Sequence, residues 1–263
     1  MSITSHDSTS LAPVAAYDLV APHYDSILAT RKRYLTAIEE ILIAHSAGAR
    51  SLLDVGAGNG VRALRIARAT GIDDVVLLEP SPGMRAQCPD RAEFWNCSAT
   101  EIPQTTRRFD LITCLWNTLG HFESTDERTA VLARLKALLT PSGRIFLDVN
   151  HRYNARAYGW PKTALRMLYD FFSPAETNGN VLVSWKEGDL QICTRGHVFT
   201  HRELSQIFSR SGLAVKSRWV VDYRSGELHA NSTLGNLLYQ LQSRDGTLQR
   251  TTIPYPCVIP SAR

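Results

Sequence analysis

Between residues 51 and about 150, short apolar runs alternate with stretches whose apolar residues recur at helical intervals. The runs SLLDV, DVVLLE, EFWNCS, DLITCLW and RIFLDV predict strands, and helices are expected between them over 60–70, 82–88 and 125–139. Strands separated by helices in this way pair in parallel through right-handed crossovers. This part of the chain therefore predicts an α/β fold, preceded by a helix in RYLTAIEEILIAHSAG that packs against the sheet.

The pattern changes after Val149. The runs VLVSW and LQICTRGHVF flank the segment 186–189 (KEGD), which is typical of a hairpin turn with its glycine at positive φ. Thr200 stands three residues before Glu203 and predicts a capping box at the start of a helix, which Gly212 ends. AVKSRWVVDY and LGNLLYQLQ then predict two further strands.

These patterns divide the chain into a flexible polar lead over 1–16, one domain over 17–243 and a tail over 244–263. The stretch at about 151–198 contains the hairpin and a helical pattern, TALRMLYDFF, and is predicted to be a cap inserted into the domain. The tail contains the proline-rich run TTIPYPCVIPSAR, which cannot form a central strand.

Composition and charge exclude several classes of protein. No run of about 18 apolar residues predicts a membrane span, and the first residues lack the basic and apolar regions of a secretory signal. The 29 basic and 25 acidic residues are interspersed, so a nucleic-acid partner is not expected. The 5 cysteines form no C-x-x-C pair, which favours a reducing cytoplasm and argues against a metal site.

The most informative motif is the turn in LLDVGAGNGVRALRIA. Gly56, Gly58 and Gly60 follow a strand that ends near Asp54 and precede a helical pattern. Glycines at such a turn allow a ligand to approach the backbone, and the free amides of the helix N-terminus add positive potential. A dinucleotide site would space its last two glycines three residues apart. Here an acid precedes the turn, which suits a ligand that carries an ammonium group.

A second acid, Glu79, ends the next predicted strand, VVLLE. A carboxylate at this position of a nucleotide-binding fold accepts hydrogen bonds from ribose hydroxyls. Since the carboxyl ends of parallel strands meet at one edge of the sheet, Glu79 and the glycine turn are expected to lie together.

With Glu79, the run from Asp54 to Gly60 resembles the cofactor motif of class I S-adenosylmethionine-dependent methyltransferases. EPSPGM, FDLITCLWNTLGHF and LKALLTPSGRIFLDV are similar to later motifs of that family. The resemblance implies a Rossmann-like, doubly wound sheet of seven strands, mostly parallel with an antiparallel last strand. It implies S-adenosylmethionine as the cofactor, with these binding residues: Asp54, Gly56, Ala57, Gly58, Gly60, Glu79, Pro80, Met84, Ser98, Ala99 and Leu115. Ser98 stands where the family usually has an aspartate that binds the adenine amino group.

The residues of methyl transfer are less constrained by sequence. His121 and Asn117 follow the fourth strand in WNTLGH, and Tyr24 lies in an N-terminal segment similar to one that closes over the cofactor in small-molecule N-methyltransferases. His121 would accept a proton, Asn117 would fix the acceptor or cofactor, and Tyr24 or Tyr17 would contact either ligand. The alternatives are a histidine satisfied by backbone, a turn-forming asparagine and tyrosines that only anchor the first helix.

The sequence thus predicts a cytoplasmic enzyme that methylates a small-molecule amine or hydroxyl, with the amine favoured. Six cap side chains are expected to line the acceptor pocket: Arg152, Tyr153, Arg156, Tyr158, Trp160 and Trp185. Packing between cap and sheet is the alternative for the aromatic ones. Methylation of a peptide or RNA and cofactor binding without catalysis stay open, and the oligomeric state is not predicted.

Overall fold

The fold is described from a computed structural model that places residues 10–89, 92–187 and 190–246. Three sequence predictions fall outside these residues. They are the lead over 1–9, the glycine of the hairpin turn at Gly188-Asp189, and the tail from 247 onwards, which includes Cys257.

The strands, in chain order, are β1 (Ser51–Val55), β2 (Asp74–Leu78), β3 (Glu93–Trp95), β4 (Phe109–Cys114), β5 (Leu139–Val149), β6 (Asn180–Glu187), β7 (Leu190–His197), β8 (Leu213–Val221), β9 (Leu228–His229) and β10 (Asn236–Ser243). In the part of the chain that the structure describes, the main sheet runs β3-β2-β1-β4-β5-β10-β8-β9, and β6 and β7 form a separate hairpin. The first five strands pair in parallel, and β10 is antiparallel to β5 and β8.

This order confirms the doubly wound sheet with an antiparallel last strand. One strand was missed: β9 adds an eighth at the edge, antiparallel to β8. It comprises only Leu228 and His229 within a polar loop, too short for any alternation of apolar and polar residues to show.

The α-helices within the described residues are α1 (Pro13–Val20), α2 (Tyr24–Ala29), α3 (Lys32–Ala44), α4 (Val61–Thr70), α5 (Pro82–Ala86), α6 (Thr125–Ala137), α7 (Ala155–Tyr158), α8 (Trp160–Phe172) and α9 (His201–Arg210). The predicted capping box opens α9, because Thr200 Oγ1 accepts from Glu203 N at 3.2 Å and the Glu203 side chain accepts from Thr200 N. Gly212 follows α9 with φ +71°.

Two apolar clusters pack on opposite faces of the sheet. Leu53 and Val55 of β1 share one cluster with α6 and α9, whereas Leu52 shares the other with α3 and α4. Because successive strand residues point to opposite faces, the alternation within β1 buries both sides of the strand. The sheet is therefore fixed between two layers of helices, and its carboxyl-end edge is a rigid support for a site.

The lead is shorter than predicted. Helix α1 begins at Pro13, and Leu11 donates from its backbone nitrogen to Cys193 O at 3.0 Å and accepts from Thr194 Oγ1 at 2.9 Å. Residues 11–16 are therefore part of the folded domain, tied to the hairpin by hydrogen bonds that no local pattern could show. No helix in the described ranges is long and apolar enough to cross a membrane.

Candidate active site

A cavity of about 290 Å³ opens where β1, β2 and β4 end. Its walls come from the segments that follow these strands and from α1 and α2. Of the eleven predicted cofactor residues it is lined by Gly56, Gly58, Glu79, Pro80, Met84, Ser98, Ala99 and Leu115. Asp54, Ala57 and Gly60 are buried behind this wall and do not line it.

The glycine turn forms the floor of the cavity. Gly56 has φ +68° and Gly58 has φ +59°, backbone conformations that favour glycine. A Cβ on Gly56 would lie 2.5 Å from Thr118 Cγ2, and one on Gly58 would lie 3.0 Å from Tyr24 Oη. At both positions a side chain would collide with its neighbours, so only glycine fits, and the backbone of Gly56 and Gly58 itself lines the cavity.

Glu79 joins the turn to the end of β2. Its Oε2 accepts from Gly58 N at 2.8 Å and its Oε1 accepts from Ser81 N at 2.9 Å. Burial raises the pKa of this carboxyl to about 7, although both backbone donors favour the ionised form. Each oxygen retains lone pairs, so the carboxylate can still accept hydrogen bonds from a ligand's hydroxyls.

Asp54 supports the turn from below. It is 1% exposed, and its Oδ1 accepts from Thr113 Oγ1 at 2.6 Å, whereas its Oδ2 has no hydrogen-bond partner in the described structure. Burial raises its pKa, and the nearby Arg62 opposes this rise. Arg62 itself lines the cavity from the first turn of α4, and its buried Nε has no partner among the residues described. Asp54 and Arg62 therefore place opposite charges, each with an unpartnered polar atom, beside the turn. A ligand that carries both an ammonium and a carboxylate group would require such a pair.

Tyr17 and His121 also line the cavity and form a hydrogen-bonded pair. Tyr17 Oη lies 3.0 Å from His121 Nε2, and His121 Nδ1 lies 3.1 Å from the carbonyl oxygen of Arg195. Because a carbonyl only accepts, we assign the ring proton to Nδ1, which leaves Nε2 to accept from the tyrosine hydroxyl. Burial lowers the pKa of His121 and raises the pKa of Tyr17. The pair thus combines a neutral base with a protonated hydroxyl.

Helix α1 carries Tyr17 into this position. Asp18 Oδ1 accepts from Ser81 Oγ at 2.5 Å and from Gly83 N at 2.9 Å, which holds α1 over the loop after β2. Tyr24, which follows α1, lines the same cavity above Gly58. The N-terminal segment therefore closes over the glycine turn, and both candidate tyrosines face the cavity.

The structure corrects the prediction for Asn117, which does not line the cavity. Its Nδ2 donates to His197 O at 3.0 Å and its Oδ1 accepts from Asn150 N at 2.9 Å. The side chain is 5% exposed and tied to backbone on both sides, so it is the turn-forming asparagine of the alternative interpretation. Trp116, next to it, lines the cavity instead.

None of the six predicted cap residues lines this cavity, although Arg156 and Tyr158 line a second one. Arg152 is used within the cap, where its Nε and Nη2 donate to the Asp170 carboxylate at 2.5 and 2.9 Å. Trp185 packs against Tyr17, with ring centroids 5.4 Å apart. Four residues that the sequence did not predict do line the cavity: Arg62, Trp116, Glu123 and Glu127.

Charged side chains on helices and loops are usually solvated, so nothing in the sequence marked Arg62, Glu123 or Glu127. No cluster of metal-ligating side chains is found in the described part of the chain.

Comparison with known proteins finds a family whose sequence model matches most of this chain. The sequence model of the family described as "Methyltransferase domain" matches residues 27–218. A dTDP-3-amino-3,6-dideoxy-α-D-glucopyranose N,N-dimethyltransferase from Streptomyces fradiae is 29% identical over 153 residues, which make up 55% of this chain and 58% of that protein. The match thus spans less than two thirds of that relative's length.

Solved structures share the fold at low identity. The CcbJ methyltransferase from Streptomyces caelestis superposes with a TM-score of 0.63 at 16% identity, covering 90% of this chain and 99% of that one. DesVI from Streptomyces venezuelae gives 0.58 at 18% identity, covering 85% and 98%. The sugar N-methyltransferase KedS8 from Streptoalloteichus gives 0.57 at 17%, covering 92% and 98%. At these identities the similarity shows the Rossmann-like methyltransferase fold alone.

Proposed function

This chain belongs to the methyltransferase domain family, and we propose that it transfers the methyl group of S-adenosylmethionine to an amino nitrogen of a small molecule. The observation that carries the proposal is the Tyr17–His121 pair, which opens onto the same cavity as the glycine turn and Glu79. A base beside a cofactor site is the arrangement that an amine acceptor needs, since it binds mostly as an ammonium ion and must lose a proton before it reacts.

The residues of the cavity fit S-adenosylmethionine. Glu79 would accept from the ribose hydroxyls, and Met84, which is 1% exposed, would lie with Leu115 against the adenine. Arg62 suits the carboxylate of the methionine moiety, and the unpartnered Oδ2 of Asp54 provides negative charge for its ammonium group. Ser98 Oγ already accepts from Thr100 N and Thr100 Oγ1, at 3.3 and 3.0 Å. We therefore assign part of the hydrogen bonding to the adenine to a backbone group, such as that of Ala99.

When bound, the cofactor supplies an electrophilic methyl carbon on a sulfonium, which becomes a neutral thioether as the new nitrogen–carbon bond forms. The chain's own contribution is a proton path. An acceptor ammonium that donates to Tyr17 Oη can pass its proton to that oxygen while the tyrosine proton moves to His121 Nε2. The result is a neutral amine, an intact tyrosine and an imidazolium ion. The low pKa of His121 keeps it neutral and ready to accept at neutral pH.

The charge of the cavity favours an amine over a hydroxyl. Glu123 and Glu127 line the cavity beside His121, and Glu127 Oε2 accepts from Glu123 N at 2.6 Å. Carboxylates attract an ammonium ion and give a neutral hydroxyl no comparable stabilisation. The Streptomyces fradiae relative is named for an amino sugar, which makes an amino sugar the first acceptor class to test.

The proposal includes the cytoplasmic location expected from the cysteines. The four cysteines that the structure places, Cys88, Cys97, Cys114 and Cys193, form no disulfide, which fits a reducing compartment.

A panel assay tests the function. The purified full chain is mixed with S-adenosylmethionine and with amino sugars, matched hydroxy sugars, simple amines, phenols, a peptide mixture or RNA. S-adenosylhomocysteine release and the mass gain of one methylene in the acceptor are measured. We expect turnover with an amino compound and none with its hydroxy analogue. Turnover confined to hydroxyl or polymer acceptors contradicts the proposal, and cofactor binding without release in any arm shows a non-catalytic protein.

The glycine floor gives a prediction with a matched control. Gly56→Ala adds both strain at φ +68° and a contact of 2.5 Å with Thr118, whereas Gly71→Ala adds strain at φ +72° with nothing within 4 Å. Both variants should lose about 1 kcal/mol of stability through strain. Only Gly56→Ala should also lose affinity for S-adenosylhomocysteine, by about tenfold or more, in calorimetric titration. Equal affinity in the two variants contradicts the assignment of the floor.

Glu79 gives a pH dependence. Since burial raises its pKa to about 7, the carboxyl of the free protein is mostly protonated at about pH 6 and ionised at about pH 8. The ionised form is the better acceptor for ribose hydroxyls, so S-adenosylhomocysteine should bind up to about tenfold more weakly at the lower pH. Calorimetry across this range should show the slope in the wild type and in Asp54→Asn, and a nearly flat profile in Glu79→Gln. A slope that persists in Glu79→Gln assigns the titration to another group.

A further inference from the structure

A second cavity, of about 240 Å³, adjoins the first. Trp116, which lines the first cavity, donates from Nε1 to Tyr223 Oη at 3.2 Å, and Tyr223 lines the second. One hydrogen-bonded pair of rings therefore separates the two spaces. Arg31, Arg156 and Arg224 also line the second cavity.

Its charges are only partly compensated. Arg156 Nε pairs with Asp222 Oδ2 at 2.7 Å, and the same carboxylate accepts from Arg224 N at 2.7 Å. Asp222 is 2% exposed and is the one carboxylate among the described lining residues. Arg31 and Arg224 have no carboxylate within ion-pair distance in the described ranges. The cavity thus retains two positive charges beyond the one that Asp222 neutralises.

Aromatic packing holds one of these cations, Arg31, in position. The Arg31 guanidinium lies 4.7 Å from the centre of the Tyr223 ring, and Tyr223 packs edge-on against Tyr34 at 5.0 Å. Tyr34 Oη in turn donates to the buried Asp148 at 2.5 Å. Arg31 Nη1 donates to Thr30 O at 3.2 Å. Stacking on an aromatic face leaves the other planar donors of the guanidinium free for a planar or tetrahedral anion.

The wall between the cavities is strained. Trp116 has φ +55° and Asn117 has φ +62°, and for a residue as bulky as tryptophan this conformation is a genuine outlier. It persists because Trp116 N donates to Asp148 Oδ2 at 3.0 Å and Asn117 N donates to Asp148 O at 3.1 Å. Such strain is concentrated where function needs a particular side-chain position. Here it places the indole between the cofactor cavity and the cationic one.

We propose that the second cavity binds an anionic group of the methyl acceptor, a phosphate or a carboxylate, through Arg31 and Arg224, with Arg156 held beside them by Asp222. This inference rests on the proposed function, because it takes the amine of the same molecule to lie at Tyr17 and His121. The acceptor is then a zwitterionic small molecule that extends past Trp116 from the first cavity into the second. Two arginines in a recess bind such oxyanions through paired hydrogen bonds.

Direct binding of small anions tests the site without turnover. The full chain is titrated calorimetrically with inorganic pyrophosphate and, separately, with succinate, which distinguishes phosphate from carboxylate recognition. We expect saturable binding of at least one probe, weakened about tenfold by Arg31→Gln and by Arg224→Gln. Arg33→Gln is the matched control, since Arg33 lies two residues further on in the first turn of α3, is exposed and does not line the cavity. S-adenosylhomocysteine affinity, unchanged in all variants, verifies folding.

The outcomes separate this inference from the proposed function. Absence of saturable binding of both probes, or wild-type affinity in Arg31→Gln and Arg224→Gln, overturns the anion site even if the panel assay shows methylation. If the site binds a probe, that probe should raise KM for the acceptor and leave KM for S-adenosylmethionine unchanged. Inhibition that is not competitive with the acceptor overturns the link to the acceptor. If a probe binds through both arginines but the panel assay shows no turnover, the anion site stands and the proposed function is rejected.

Discussion

Replacing His121 with glutamine is expected to lower kcat by about 100-fold or more and to leave the affinity for S-adenosylmethionine within about twofold of the wild type. Glutamine can still donate to the carbonyl of Arg195, but it offers no basic nitrogen to Tyr17. The loss should therefore fall on proton removal rather than on binding. Single-turnover rates with an amine acceptor, together with calorimetric affinities, measure the two effects separately.

The chain provides a matched control in a second tyrosine–histidine pair. His201 Nδ1 lies 2.7 Å from Tyr239 Oη, at the start of α9 and away from the cavity. His201→Gln should leave kcat unchanged, and Tyr17→Phe should lower it by about tenfold, since His121 then lacks its relay but keeps its nitrogen. Equal losses in His121→Gln and His201→Gln would show a general effect of destabilisation and contradict the role of His121.

Glu79→Ala is expected to weaken binding of S-adenosylmethionine by about 100-fold. The change removes a carboxylate that would accept ribose hydroxyls, and it also leaves Gly58 N and Ser81 N without their acceptor. Hydrogen bonds to a charged group contribute about 1.5–3 kcal/mol each, so the loss corresponds to one or two of them. Calorimetry on the purified variant measures it directly.

Asp54→Ala should weaken binding less, by about tenfold, because Asp54 lies behind the turn and acts on the ligand from below. Glu93→Ala is the control, since Glu93 is an exposed acid on β3 that pairs with Arg107 at 2.5 Å. Wild-type affinity in both Glu79→Ala and Asp54→Ala would overturn the cofactor site.

The main sheet and the cofactor half of the site could be predicted because both depend on short-range patterns. Strand and helix periods give the order of elements, and parallel strands bring their carboxyl ends to one edge. Gly58 and Glu79 are 21 residues apart and still meet for this reason alone. The roles of the cofactor residues stay predictions, although the structure places eight of the eleven on the cavity wall.

The acceptor half could be predicted only in part, because its contacts join distant segments. Tyr17 and His121 are 104 residues apart, and no periodicity relates them. Asn117 was a plausible polar residue beside the fourth strand, but two backbone groups occupy its amide. Arg152 was likewise assigned to the pocket, whereas Asp170, 18 residues further on, binds it within the cap. Pairings of this kind depend on tertiary packing that composition does not encode.

The docking of α1 has a consequence for how the protein assembles. Most of the wall proposed to bind the cofactor comes from residues 55–115. Tyr17 is held against it by contacts between distant segments: Asp18 bonds to Ser81, 63 residues away, and Leu11 to Thr194, 183 residues away. Closing such long loops costs more conformational entropy than closing short ones. We therefore expect the contacts of α1 to form late in folding. During refolding, cofactor affinity should thus return before turnover does. The lag between the two recoveries would measure the time that α1 needs to dock on a sheet that has already formed.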